Sequence, residues 1–233
     1  MNLTDVRPAK TFAVQFGVKC VIYGKPGTGK TPIAVNTTPN PFLLASEPGM
    51  LTLRKSECPT YPAFTATKLE EFFQWWFNSN EPNQFHTLIW DSASQGMEAF
   101  LDVELNKGSK SGAESHGQRA YGLANRAMMK HLTNLYFQQG KHIVLIAKLN
   151  TAENNGSVYR RPYFPGRELN IKVPHLFDLV MELGLFNVPG VTPSPTRAFH
   201  TAESFDCMGR DRSGMLAEYE PPDLNAVFAK CMT

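Results

Sequence analysis

One stretch constrains this chain more than any other. Gly24, Lys25, Pro26, Gly27, Thr28, Gly29, Lys30 and Thr31 match the pattern GxxxxGK[ST] in full, directly after the apolar run Cys20-Val-Ile-Tyr23. A strand running into such a loop, with a helix running out of it, makes a phosphate-binding device. The glycines let the backbone curl so that successive N–H groups point inward. The helix that follows adds the partial positive charge of its N-terminus. Lys30 is then placed to reach the β- and γ-phosphate oxygens of a nucleotide, and the Thr31 hydroxyl to ligate Mg²⁺. Pro32 falls in the first helical turn, where a missing N–H costs the helix little. ATP and Mg²⁺ are the cofactors this loop implies.

The remaining chain alternates strands and helices around that loop. Apolar runs at 18–23, 42–45, 87–90, 142–147 and 179–186 read as strands. The first four are continuous rather than alternating, as in strands covered on both faces. Helical stretches lie at 30–35, 68–78, 92–105 and 118–137, and in 68–78 the residues Leu69, Phe72, Phe73, Trp76 and Phe77 share one stripe. This order predicts an α/β fold: a mostly parallel central sheet flanked by helices. Beyond Gly184 a turn-rich loop at 189–195 leads to short strand-like pieces at 197–200, 204–208 and 215–218. They predict antiparallel hairpins appended to the sheet, followed by a last helix at 222–230. No repeat or linker divides the chain, so one domain is expected over 1–233, its core at about 15–220.

Composition narrows the setting. The 233 residues carry 23 Lys+Arg against 21 Asp+Glu, and no apolar run approaches the roughly 20 residues of a membrane span. The N-terminus lacks the apolar segment of a secretory signal. Cys20, Cys58, Cys207 and Cys231 form no CxxC pair. A reducing cytoplasm with no membrane partner is the expected location. The near-neutral total hides an asymmetry. Residues 107–172 hold eleven Lys and Arg but three acids, a net +8, and the rest of the chain is −6. Such a block marks either a polyanion partner or a solvated face balanced by acids nearby in space.

Two carboxylates complete the candidate site. His86-Thr-Leu-Ile-Trp-Asp91 is an apolar strand ending in an acid, so Asp91 is placed to hold the magnesium shell beside Thr31, or else to cap the next helix. Asp91 is followed by Ser92, whereas many ATPases of the AAA type have their catalytic Glu there. That absence argues against the AAA branch and moves the search for a base elsewhere. The strand 41–46 ends in Glu47, which in a parallel sheet faces the same crevice as the phosphate loop. Glu47 is the candidate for orienting the attacking water.

The phosphate loop, Glu47, Asp91, and Lys148 or Asn150 after the strand HIVLIA together resemble the RecA-like ATPases. The chain is similar in particular to the short phage-encoded RecA-like ATPases of the Sak branch, which act as single-strand annealing proteins. Gly209-Arg-Asp-Arg-Ser-Gly214 resembles the KNRFG motif of the RadA/Sms proteins, with Arg210 and Arg212 at its Lys and Arg positions. The resemblance implies a polar sensor at Lys148 or Asn150. It also implies that Arg210 and Arg212 reach the γ-phosphate held by a neighbouring subunit of a ring or filament. Single-stranded DNA is the implied partner, along with further copies of the chain and a single-strand-binding protein. The family's DNA loops coincide with the basic block, at 106–118 and 151–165. Lys107, Lys110, Arg119, Tyr159, Arg160, Arg161, Tyr163 and Phe164 are therefore the candidate DNA-binding residues, cations for phosphates and aromatic faces for bases. A β-hairpin with an Asn-Gly turn is the plain structural reading of the second loop. The expected function is an ATP-hydrolysing, single-strand-binding recombination protein whose hydrolysis DNA stimulates. A small-molecule kinase, or a motor or regulatory NTPase acting on a protein, are the alternatives.

Overall fold

The computed structural model describes residues 6–108, 116–154 and 157–233. In chain order the elements are α1 (Ala9–Ala13), β1 (Lys19–Gly24), α2 (Lys30–Thr37), β2 (Pro41–Ala45), β3 (Thr60–Pro62) and α3 (Ala66–Asn78). Then come β4 (Thr87–Asp91), α4 (Ala93–Gly108), α5 (His116–Tyr136), β5 (His142–Asn154), β6 (Ser157–Tyr163) and α6 (Glu168–Leu176). The chain closes with β7 (Leu179–Phe186), β8 (Thr196–His200), β9 (Arg210–Asp211), β10 (Tyr219–Glu220) and α7 (Leu224–Met232).

Among the described residues the strands form one sheet in the order β10-β8-β7-β1-β5-β4-β2-β3, with β6 added to β5 and β9 to β7. The six strands from β7 to β3 run parallel, and β6, β8, β9 and β10 pair antiparallel. The mostly parallel sheet with antiparallel additions toward the C-terminus is as the sequence predicts.

Alternation along each strand divides the core into two layers. Val21 and Tyr23 of β1 face a large layer built with α3, α4, α5 and α6, while Cys20 and Ile22 face a smaller layer with α2 and α7. The α3 stripe behaves as its spacing predicts: Leu69, Phe72, Phe73 and Trp76 are all buried. The Thr65 hydroxyl caps this helix by accepting from the Lys68 amide.

The differences are informative. β5 runs seven residues past the predicted 147, because β6 folds back on it as a hairpin from Lys148↔Tyr163 to Asn154↔Ser157. The predicted strand at 204–208 shrinks to a single parallel bridge between Cys207 and Arg160 of β6, and the next paired strand is Arg210–Asp211. The piece expected at 215–218 pairs at Tyr219–Glu220. Helix α6 forms despite Pro174 inside it. Asn170 helps to fix its start: its side chain accepts from the Phe164 amide at 2.9 Å and donates to the Phe164 carbonyl at 2.7 Å. No helix among the described residues is long and apolar enough to cross a membrane.

Candidate nucleotide site

The C-terminal ends of β1, β2 and β4 meet the middle of β5 at one edge of the parallel sheet. A cavity of about 550 Å³ opens there, lined by Gly24, Gly27, Gly29, Lys30, Thr31 and Pro32 of the loop, with Glu47, Asp91 and Lys148 across from them. The loop needs its glycines. Gly27 and Gly29 sit at φ 78° and 90°, and a Cβ at Gly24 would lie 2.3 Å from the Leu183 carbonyl oxygen. Lys25, Pro26 and Thr28 form the outer turn, closed by the Thr28 amide and hydroxyl on the Lys25 carbonyl.

Lys30 Nζ donates to the carbonyls of Gly24 at 2.9 Å and Lys25 at 3.0 Å, folded back over its own loop. Burial pushes its pKa down, while Asp91 and Glu47 pull it back up. The Thr31 hydroxyl donates to Asp91 Oδ2 at 2.5 Å. Burial pushes the Asp91 carboxyl up to about 6, against the pull of that hydrogen bond, and the nearby Glu47 charge adds to the rise. A hydroxyl and a carboxylate in contact are hard oxygen ligands of the kind Mg²⁺ takes, so the residues present fit that ion. Among the described residues no group of three or more His, Cys, Asp or Glu could hold a metal by itself. A cation at Thr31 and Asp91 would therefore complete its shell with phosphate oxygens and water.

Glu47 is half-buried on the cavity wall, its Oε1 next to Gly49. Lys148 lines the same wall and donates to Gln95 Oε1 at 2.8 Å and to both Glu98 oxygens at 3.1 Å. Asn150, the alternative sensor, is two residues further along β5, opposite Arg161 in the hairpin and outside the cavity wall. Gln95 and Glu98 are polar partners that sequence reasoning missed. They lie one turn into α4, where nothing in the local pattern separates them from a solvated helix face.

The expected DNA residues fare unevenly. Phe164 is fully buried in the larger core layer and offers no face to a base. Arg160 is committed to two carboxylates: its Nε is 2.9 Å from Glu182 and its Nη1 2.7 Å from Asp206. The Tyr159 hydroxyl donates to Glu203. Tyr163 and Arg161 are half-buried, and the shielded Arg161 Nε has no acceptor among the described residues. The segment 151–165 is thus largely the hairpin of the plain reading, its two-residue tip outside the described residues. Lys107 pairs with Glu104 at 2.5 Å, Arg119 is exposed, and Lys110 lies outside the described residues.

The basic block itself divides. Lys141 is buried, and Lys172 pairs with Glu168. Arg119, Arg126 and Lys130 have no carboxylate at ion-pair distance among the described residues, and all three are exposed on α5. Their spacing of seven and four residues sets them on one stripe of that helix.

Arg210 and Arg212 sit away from the cavity of their own chain. Both lie at the opposite edge of the sheet, where β9 pairs the start of β7. Arg210 Nη1 donates to the Pro174 carbonyl at 2.8 Å. Arg212 donates to Asp178 at 2.8 Å, to the Tyr136 hydroxyl at 3.0 Å and to the His175 carbonyl at 3.0 Å. Both guanidinium groups make these contacts within their own chain.

A family model described as AAA domain matches residues 17–213. No curated protein matches the sequence. A solved structure described as a prototypical ATPase from the type III secretion system of pathogenic bacteria is similar at 13% identity and a TM-score of 0.43. The likeness covers 75% of this chain and 55% of that one, so the chain spans about half the length of that structure. The sequence argument from Ser92 against the AAA type is overturned by the family match. With 17–213 matched, the chain belongs to the AAA domain family and is a P-loop ATPase domain.

Proposed function

We propose that the chain is a magnesium-dependent ATPase whose nucleotide cycle is coupled to single-stranded DNA, in the manner of the phage annealing ATPases it resembles. One observation carries the coupling. Lys148, in the cavity wall, is held by Gln95 and Glu98 of α4, and α4 packs on α5 in the larger core layer, where Phe100 stacks on His131. A change at Lys148 is thereby passed through α4 to α5. The DNA-facing cations proposed here keep Arg119 of the sequence expectation and add Arg126 and Lys130, all on α5. Partnership with further copies of the chain and with a single-strand-binding protein rests on the resemblance.

The roles follow from position. Lys30 exchanges its two carbonyl contacts for phosphate oxygens, a charge-assisted bond stronger than the neutral contacts it gives up. Thr31 and Asp91 would hold Mg²⁺, which would supply charge neutralisation of the phosphates. Glu47, across the cavity, orients a water and takes its proton. Lys148, balanced between Gln95 and Glu98, is the side chain placed to respond to the terminal phosphate.

Fluorescence anisotropy of a labelled oligo-dT, with no nucleotide, with ADP and with a slowly hydrolysed ATP analogue, tests this at two salt concentrations. Nucleotide-dependent, salt-sensitive binding is the expected result. Absence of binding in every condition would remove DNA from the function and leave the ATPase.

A further inference from the structure

The site has a donor that no sequence motif announces. β7 continues past the end of β1, whose Tyr23 pairs with Glu182, and rises beside the phosphate loop. β8 returns along it with Arg197 opposite Leu185. A Cβ at Gly29 would lie 3.4 Å from Arg197 Nη1 and 3.8 Å from its Cζ, so the guanidinium rests against the loop. Arg197 is exposed and forms no hydrogen bond or ion pair among the described residues. A cation beside an anion site with no partner of its own is one held for the ligand.

The loop has a matching deficit. A helix N-terminus offers its first amides to an anion. In α2 the third helical position is Pro32, which has no N–H although it lines the cavity. The next amide, Ile33, already donates to the Gly29 carbonyl at 3.1 Å. The helix start is left with the Gly29, Lys30 and Thr31 amides.

We infer that Arg197 replaces the missing donor in cis and binds the phosphate nearest the sugar. This rests on the nucleotide reading above. Its side of the loop fixes which phosphate. Glu47, Asp91 and Lys148 lie on the β5, β4 and β2 flank of β1, where the terminal phosphate must meet water. Arg197 lies on the β7 and β8 flank, so a polyphosphate laid along the loop presents its α end there.

Calorimetric titration of Arg197→Ala, Arg197→Lys and Lys30→Ala with ADP, ATP and inorganic tripolyphosphate tests the inference. Arg197→Ala should weaken ADP and ATP by the same factor, about tenfold for one charge-assisted contact. Tripolyphosphate should weaken too, Arg197→Lys should recover part of the loss, and the melting temperature without nucleotide should stay put. Wild-type ADP affinity in Arg197→Ala, with Lys30→Ala defective, would overturn the inference while the nucleotide site stands. A loss for ATP but not ADP would put the guanidinium at the γ-phosphate, and an undiminished tripolyphosphate affinity would put it on the base or ribose; either overturns it. A wild-type protein that binds no nucleotide would overturn this inference and the site together.

Discussion

The two edges of the parallel sheet use the same residue in opposite ways. At the C-terminal edge Lys30 leans over an open cavity on two loop carbonyls, with Asp91 and Glu47 nearby. At the N-terminal edge Lys19 is fully buried and donates to the carbonyls of Phe16, Gln138 and Lys141. Lys141, also buried, donates to the carbonyls of Pro82, Asn83 and Phe85. Burial pushes both pKa values down, that of Lys19 to about 7 with Asp178 opposing the fall. An ammonium with all three protons taken by carbonyls, beyond the reach of solvent, ties chain segments together and has nothing left for a ligand. One that retains a free direction into a cavity can change partners. A similar contrast holds for arginine: Arg212 makes three hydrogen bonds at the N-terminal edge, whereas Arg197 is unpaired among the described residues at the C-terminal edge.

The comparison breaks if the two lysines can be interchanged in effect. Lys30→Ala should lower ATP turnover by about 10²–10³-fold, the cost of removing one preorganised electrostatic donor, with the melting temperature little changed. Lys19→Met should do the reverse. Three buried carbonyls lose their donor at roughly 1 kcal/mol each, which in a domain of this size lowers the melting temperature by about 10 °C, while turnover of the folded fraction holds. A thermal scan paired with a phosphate-release assay reads both. Equal losses in stability would show that Lys30 is a structural clamp as well. Glu47→Gln follows: ATP should still bind, and hydrolysis should fall by about 10²-fold as the general base is lost. Unchanged turnover would move the base to Glu98, the other carboxylate near Lys148.

These edges also explain which parts were legible in the sequence. The phosphate loop is encoded in eight consecutive residues, and Asp91 and Glu47 follow from their places at strand ends in a parallel sheet. All of that chemistry is local. Arg197 is not: its neighbour Gly29 is brought to it by the register of β7 and β8, which no short pattern specifies. Helix α6 was hidden because Pro165, Gly166 and Pro174 read as breakers, and what holds its start is the side chain of Asn170. The charge count left its two readings open for a related reason. It treats every Lys and Arg as surface, yet Lys141 is inside and Arg160 is neutralised by acids distant in sequence. Phe164 shows the same ambiguity for aromatics, since a ring that stacks on a base and a ring that fills a core have one composition.

The smallest effects separate the two kinds of cation within the basic block. Replacing Arg119, Arg126 and Lys130 together by Ala should flatten the salt dependence of single-strand affinity by about 2 in log–log slope, three phosphate contacts at ~0.7 each. The fold should be unaffected, because these side chains are exposed and form no ion pairs among the described residues. Arg160→Ala should leave the slope unchanged and cost about 1–2 kcal/mol of stability instead. Its loss strands Glu182, which is 5% exposed and also accepts from the Cys207 thiol at 2.9 Å, in a cluster directly behind Tyr23 and the phosphate loop. If Arg160→Ala flattened the slope and the α5 triple variant did not, the hairpin would carry the DNA after all. The ion pair with Glu182 would then have to open when a strand binds.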